Sequence, residues 1–460
     1  MTPLRIAIVG AGPAGAYAAG ALLGQDTHPV EVDVYERLPT PWGLVRAGVA
    51  PDHPKIKTVT RVFEKTADRP GFQLLGNVEV GRDVTHEELT AWYDAVIYAS
   101  GTERDRRLGI PGEDLPGSLP ATAFVAWYNA HPDWHELPVD LDVDHALVVG
   151  NGNVAVDCAR MLALRPDELA ATDTADHAIA KLSSGAVREV TMIGRRGPLQ
   201  AAFTNPELRE LGELADVDLL IDAADLEVEA EDFEAAEPTH QRNVEILREY
   251  ATRPPTGATR RLALRFYTVP VEILGDGRVE AVVLERTKLV RGADGRLSAQ
   301  PTGQREELPA GLVLRSIGYY GTPIPGLPFD EDRGIVPNQA GRVIAADGEH
   351  LIGVYVTGWI KRGPSGVIGT NKKDANETVH AVLEDVQAGR TPVGRDRPSA
   401  QEVAERLSER VDHLVELHRW RAIDAHEQEL GRPDGRPRVK LATRENLLDV
   451  PHGDAEPASR

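Results

Sequence analysis

The sequence predicts an α/β protein with two nucleotide-binding units, each a parallel sheet between helices, and three observations predict it. A glycine turn joins an apolar strand to a small-residue helix near residue 10. A second such turn follows near residue 150. Each unit then reaches a further strand that ends on charge, a glutamate in the first and two arginines in the second. Strand, glycine turn, helix and strand in that order make two Rossmann-like, three-layer domains.

Composition narrows the class. The 460 residues suffice for two or three domains, and 41% hydrophobic content with 43 glycines suits an α/β enzyme better than a disordered or fibrous chain. No apolar run approaches the ~18 residues of a membrane span. The first strand starts within a few residues of Met1 with no apolar leader before it, so we expect a cytoplasmic protein. The single cysteine, Cys158, excludes an intrachain disulfide and a C-x-x-C pair. It also excludes an iron–sulfur cluster held by this chain, which takes about four thiolates. Within a helix of small and apolar residues, Cys158 is expected to be a buried structural thiol. A formal charge of −21 argues against nucleic-acid binding, yet leaves room for a local basic patch toward an acidic partner.

In the first unit, residues 6–9 form the apolar strand. Gly10, Gly12 and Gly15 follow in the spacing G-x-G-x-x-G, with Pro13 and Ala14 before the last glycine. Gly10 permits the tight turn, Gly12 lets backbone approach a pyrophosphate, and Gly15 lets helix and strand pack closely. Amides at the helix N-terminus face the phosphates. The alternating strand Val30, Val32, Val34 ends on Glu36, placed to accept a ribose hydroxyl. Residues 38–57 are rich in Pro and Gly, carry Trp42, Leu44 and His53, and show no regular period until Lys55; such a segment beside a nucleotide fold is more often functional than idle. A helix is expected at 56–68, short strands at 72–75 and 78–80, a parallel strand at 94–100, and a domain boundary near 104.

A helix at 119–131 leads to an apolar strand at 146–149 and the second turn, Gly150, Asn151, Gly152, Asn153, Val154, Ala155. This G-x-G-x-x-A form keeps both phosphate-contact glycines. The strand at 187–193 ends in Gly194, Arg195, Arg196, Gly197. A carboxylate there would repel a ribose 2′-phosphate, whereas a guanidinium can grip it with two bonds, so the unit reads as an NADP site. A short helix at 205–214 carries Glu207 and Glu210, and 225–237 reads as a solvated acidic surface. Residues 251–271 hold no acid but include Arg253, Arg260, Arg261 and Arg265, a basic face for an acidic partner. Strands are expected at 264–274, 279–287 and 312–317, with 291–305 as a hairpin tip. A turn-rich loop at 318–328 marks the second boundary; a strand at 351–359, helices at 375–388 and 399–420, and a disordered last ten residues complete the reading.

Five phrases then narrow the reading: PWGLVRAGVAPDHPKIK (41–57), GNVEVGRDV (76–84), GNGNVAVDCAR (150–160), GRRGPLQAAFT (194–204) and TGWIKRGPSGVIGTNKKDA (357–375). In order and spacing the chain resembles the adrenodoxin-reductase-like ferredoxin–NADP⁺ reductases, over about residues 4–390. The resemblance implies an FAD domain built from both chain ends with an NADPH domain inserted, hence 1–103 and 326–390 for FAD, 104–325 for NADPH, and a C-terminal helical extension and polar tail at 391–460. It implies FAD contacts at Ala14, Glu36, Leu44, Val80, Trp359, Gly366, Val367 and Ile368. It implies NADP(H) contacts at Asn151 to Val154, Arg195, Arg196, Glu207 and, in some members, Arg106, with Gly366 near the nicotinamide. Trp359 has an alternative reading as a core aromatic. His53, Glu210 and Asp157 resemble the family's polar set in the catalytic cleft, where they orient water and the nicotinamide and manage a proton at the flavin; a lone histidine before proline in a loop is otherwise usually structural.

The activity implied is hydride transfer from NADPH to FAD and single-electron transfer to an iron–sulfur ferredoxin, by a monomer with no metal site of its own. Two alternatives stay open at this point. An NADPH-dependent flavin monooxygenase also pairs two such turns, and so does a flavoprotein subunit of a larger electron-transfer assembly.

Overall fold

A computed structural model describes residues 3–293, 295–391, 393 and 397–451. The chain divides into two compact units. The first contains 1–49, 53–104 and 318–460, and the second 50–52 and 105–317.

The first unit is built on a seven-stranded sheet. Its order is Asn338–Gln339, Arg342–Ile344, His350–Val356, Ala95–Tyr98, Leu4–Val9, Val30–Glu36, Phe72–Gly76. The last five are mutually parallel, and Leu4–Val9 is buried along its whole length because helices cover both faces. One core layer packs Ile6, Ile8 and Val34 against Ala18 and Leu22 of helix Pro13–Leu22, with Val379 and Val382 of helix Ile368–Gln387. Alanines and glycines on the first helix let these two helices meet closely.

The second unit carries a parallel six-stranded sheet ordered Ser118–Pro120, Leu312–Arg315, His145–Val149, Glu189–Ile193, Arg260–Arg265, Val217–Ile221. A three-stranded antiparallel sheet, Thr268–Leu274, Ala281–Arg291 and Leu297–Pro309, follows it in the chain.

Several expectations need correction. The chain re-enters the first unit at Gly318, not 326: Gly321 N–H donates to Gly334 O at 2.8 Å, so the turn-rich loop belongs to the first unit. The residues after 390 are not an appended extension. Val403 and Leu407 fill one core layer of the first unit, and Trp420, Ile423 and Leu447 fill the other. The helix expected at 399–420 is two, Ala400–Ser408 and Leu417–Gly431, separated where Val415 bridges Gly76. The hairpin tip is short, because most of 291–305 is strand. Within the acidic stretch 225–237, Asp225 is buried, accepting Phe266 N–H at 2.9 Å and Arg286 at 2.6 Å. The last nine residues lie outside the described residues. No helix among the described residues is long and apolar enough to cross a membrane.

Candidate functional site

In the first unit the glycine turn is sterically committed. Gly10 has φ +109°, and a Cβ there would lie 2.6 Å from Ala99 O; a Cβ at Gly15 would lie 2.0 Å from Gly10 O. Gly12 caps helix Pro13–Leu22 without a side-chain cap, and no acid sits in the first turn, so the N-terminal amides and the positive helix end are left to an anion. A Cβ on Gly43 would come within 2.9 Å of Gly12 Cα, and Trp42 N–H donates to Ala11 O at 3.0 Å, which brings the Leu44 segment onto the turn. Glu36 is buried at the end of its strand. Its Oε2 accepts Ala11 N–H at 3.1 Å and its Oε1 accepts Leu38 N–H at 3.0 Å. Burial pushes this carboxyl up, and the two N–H bonds oppose that rise. Two of about four carboxylate lone pairs are used, leaving acceptors for a ribose diol.

The third segment meets the same turn. A Cβ on Gly358 would lie 2.6 Å from Ala14 Cβ. Trp359 is half-buried, stacks on Tyr319 at 6.3 Å between ring centres, and donates Nε1–H to Ser365 O at 3.2 Å, so the core reading does not describe it. Gly366 has φ +80°, with Val367 and Ile368 beginning the long helix behind it and Val367 exposed. Val80 packs at the edge of the other core layer, near Val84. His53 is buried and caps helix Pro54–Lys57, its carbonyl accepting Ile56 N–H at 3.2 Å.

In the second unit the equivalent turn is tighter. Gly150 has φ +140°, and a Cβ there would lie 2.1 Å from Ser316 O. Gly152 caps helix Asn153–Ala163 with open space beside it, no side-chain cap, and no acid in the first turn. Phrase 194–204 is laced onto this turn. Ala202 N–H donates to Asn151 O at 2.7 Å, and Thr204 N–H donates to Asn153 Oδ1 at 2.8 Å. A Cβ on Gly194 would lie 1.6 Å from Asn151 Nδ2. The Arg195 carbonyl accepts Thr287 Oγ1–H at 2.7 Å, and the Arg196 carbonyl accepts Tyr267 N–H at 3.2 Å. Both guanidiniums are exposed and make no ion pair among the described residues. Backbone held and cation free is the arrangement of an anion receptor. Arg106 is exposed just inside this unit.

Glu210 and Asp157 come together through a residue that the sequence reading missed. Arg160 is almost fully buried, binds Asp52 at 2.7 and 3.0 Å, and reaches Asp157 at 2.9 Å, Glu210 at 2.8 Å and Glu207 at 3.4 Å. Burial works against its charge, and Asp52, then Asp157 and Glu210, outweigh burial and raise its pKa. The signal was present as Asp157 three residues before Arg160, an ion-pair spacing on a helix. Tyr267 and Thr287 were also missed. Tyr267 holds a left-handed φ of 50°, a strain of roughly 1–2 kcal/mol that marks a constrained site. Cys158, by contrast, is fully buried, and burial pushes its thiol well up, away from reactivity.

Comparison with known proteins gives the family. Residues 4–216 match the family model of pyridine nucleotide-disulphide oxidoreductases. The chain is 51% identical over 460 residues to NADPH-ferredoxin reductase FprA of Mycobacterium tuberculosis, covering 98% of this chain and 99% of that one. The chain belongs to the ferredoxin–NADP⁺ reductase family. Within this family it is also 42% identical to the human mitochondrial NADPH:adrenodoxin oxidoreductase, over 96% of this chain and 91% of that one. The structure of M. tuberculosis FprA in complex with NADPH superposes with a TM-score of 0.92 at 50% identity, covering 97% of this chain and 99% of that one.

Proposed function

We propose that this reductase takes reducing equivalents from NADPH and delivers them through bound FAD to an iron–sulfur ferredoxin. The observation that carries the reading is the pairing of two committed glycine turns. One faces the buried acceptor Glu36, and the other stands beside Arg195 and Arg196, which make no ion pair among the described residues. FAD fits the first. The uncapped amides after Gly12 suit a pyrophosphate, Glu36 suits the ribose, and Leu44, Val80, Trp359 and Gly366 to Ile368 would flank the remainder. When bound, FAD supplies the conversion of a two-electron donor into single-electron steps.

The chain's own residues bind and orient. Arg195 and Arg196 hold the 2′-phosphate of NADPH, and the amides after Gly152, with Asn151, Asn153 and Val154, hold its pyrophosphate. Arg160 holds Glu207 and Glu210 in place; Glu210 and Asp157 in the second unit, and His53 in the first, are the groups available to manage protons and water. The alternative assignments to a monooxygenase or a complex subunit lose ground because the 51% identical relative is named a ferredoxin reductase over nearly its whole length.

The protein works as a monomer in this reading. The acid-free segment 251–271 is a candidate docking face, although Arg261 and Arg265 already pair with Glu189 and Glu306, and Arg253 reaches Glu249 at 3.1 Å. The function is tested by anaerobic mixing. The yellow protein should be bleached by NADPH much faster than by NADH and should then reduce cytochrome c only when a ferredoxin is added. Equal rates with the two coenzymes, or cytochrome c reduction indifferent to ferredoxin, would overturn it.

A further inference from the structure

A chain of net charge −21 that must meet a small acidic electron carrier needs a local cationic landing site near its cofactor. Among the described residues, most cations of the second unit's acid-free segment are committed to carboxylates, as described above. The first unit holds a segment where Lys55, Arg61 and Lys65 are not. Residues 55–65 read KIKTVTRVFEK, with four cations against Glu64. Glu64 is drawn toward the interior, accepting the indole N–H of Trp42 at 3.2 Å and of Trp420 at 3.3 Å. Lys55, Arg61 and Lys65 are exposed and make no ion pair among the described residues. Between them stand two large exposed apolar side chains, Ile56 at 42% and Val62 at 51%. Neither is used by the nucleotide site. Cations interleaved with exposed aliphatic groups are the composition of a transient interface, a charged rim around an apolar centre.

Topology puts this patch at the right end of the unit. Strand Phe72–Gly76 runs parallel to Val30–Glu36 and starts opposite Val32. Helix Thr60–Ala67 precedes that strand by a short turn, so it runs antiparallel to the sheet. Its first turn therefore lies at the carboxyl ends of the strands, the end that carries Gly10 and Glu36. Phe63, on the buried side of the same helix, packs on Trp42 at 5.5 Å and on Tyr17 at 5.3 Å, which fixes the patch rigidly against the segment that flanks the first glycine turn.

We infer that the surface of Lys55, Ile56, Arg61, Val62 and Lys65 is where a small acidic iron–sulfur ferredoxin docks. The inference rests on the proposed function and deepens it by naming the landing surface. The carboxylates of the partner meet the three cations, and the exposed aliphatic pair excludes water at the centre.

The test uses the FAD-loaded enzyme and one small acidic [2Fe–2S] ferredoxin, with ferricyanide as an acceptor that needs no docking. The triple variant Lys55→Glu, Arg61→Glu, Lys65→Glu should raise KM for ferredoxin about tenfold or more and flatten its dependence on salt, with the NADPH–ferricyanide rate unchanged. Ile56→Ser with Val62→Ser should raise the ferredoxin KM without altering the salt slope. A ferredoxin KM and salt slope within twofold of the parent in the charge variant would overturn the inference, and the same measurements made with Arg260→Glu and Arg261→Glu would then place docking on the second unit. Failure of the functional reading looks different. In that case the parent itself reduces ferricyanide but no ferredoxin.

Discussion

Glu427→Gln removes one proton-accepting charge from an enclosed ion pair of the first unit. Glu427 is 0% exposed and accepts two hydrogen bonds from Arg46 at 2.8 and 2.6 Å, one from Arg438 at 3.4 Å, and the Leu441 N–H at 2.9 Å. Burial pushes its carboxyl up, but the charge and hydrogen bonds of Arg46, with Arg438, more than offset this and hold it below the ordinary value. The amide keeps the shape and loses the charge, leaving the Arg46 guanidinium buried without its counter-ion. Breaking one partner of a buried pair costs about 3–5 kcal/mol. For a unit of this size, each kcal/mol lowers Tm by roughly 2–4 °C, so a drop of roughly 6–20 °C is expected. A depressed folded pKa contributes stability above the unfolded value of about 4.3 and loses it as pH falls through the folded value. The gap between parent and variant should therefore be full at neutral pH and shrink in acid. Thermal unfolding of the FAD-loaded protein, followed by flavin fluorescence from pH 7 down toward pH 4, measures both. Arg46→Met added to the variant should recover part of the loss, because the Arg46 charge is then no longer stranded. A Tm within about 2 °C of the parent at pH 7 would refute the reasoning.

The coenzyme prediction is sharper in kinetics than in stability. Arg195→Ala and Arg196→Ala should each lower kcat/KM for NADPH by about 10- to 100-fold, the worth of a charged hydrogen-bonding partner, and leave NADH almost unchanged. Arg160→Met should destabilise the second unit by about 3–5 kcal/mol, because Asp52, Asp157, Glu207 and Glu210 lose a shared cation. Arg160→Lys, which keeps the charge but offers three donors in place of five, should recover Tm more fully than NADPH kcat/KM.

The two turns were legible in the sequence because their backbone geometry leaves little freedom. Gly10 and Gly150 take backbone angles closed to other residues, and a side chain at either would strike the backbone of a neighbouring strand end. Charge at the ends of the second strands was legible for the same reason, since register places it beside the turn. What was hidden depends on pairing across long separations. Strand Leu297–Pro309 is exposed on nearly every residue, so no alternation between apolar and polar positions announces it. The role of the residues after 390 was hidden because Trp420, Ile423 and Leu447 are sparse within a polar, Pro- and Gly-punctuated stretch, and only their meeting with Phe63 and Val45 makes them a core. Asp225 was lost in a run of acids, where nothing local distinguishes the one that turns inward to Arg286. Arg160 shows only one of its four partners at helical spacing; the others are 47, 50 and 108 residues away.

The Arg46–Glu427 pair spans 381 residues of chain. During synthesis at about 5–20 residues per second, Glu427 follows Arg46 from the ribosome by roughly 20–80 s. The inserted unit at 105–317 has all of its strands in hand well before then. It can therefore fold while the first 104 residues, with the glycine turn and Glu36, still lack the helices and carboxylate that complete their core. The core around the first glycine turn can be completed only after residues 420–447 have emerged, because Trp420, Ile423 and Leu447 belong to it. A truncation before residue 427 would leave Arg46 without its carboxylate and the first unit without Leu447 of its core, so the half of the protein that carries the first glycine turn depends on the far end of the chain for its stability.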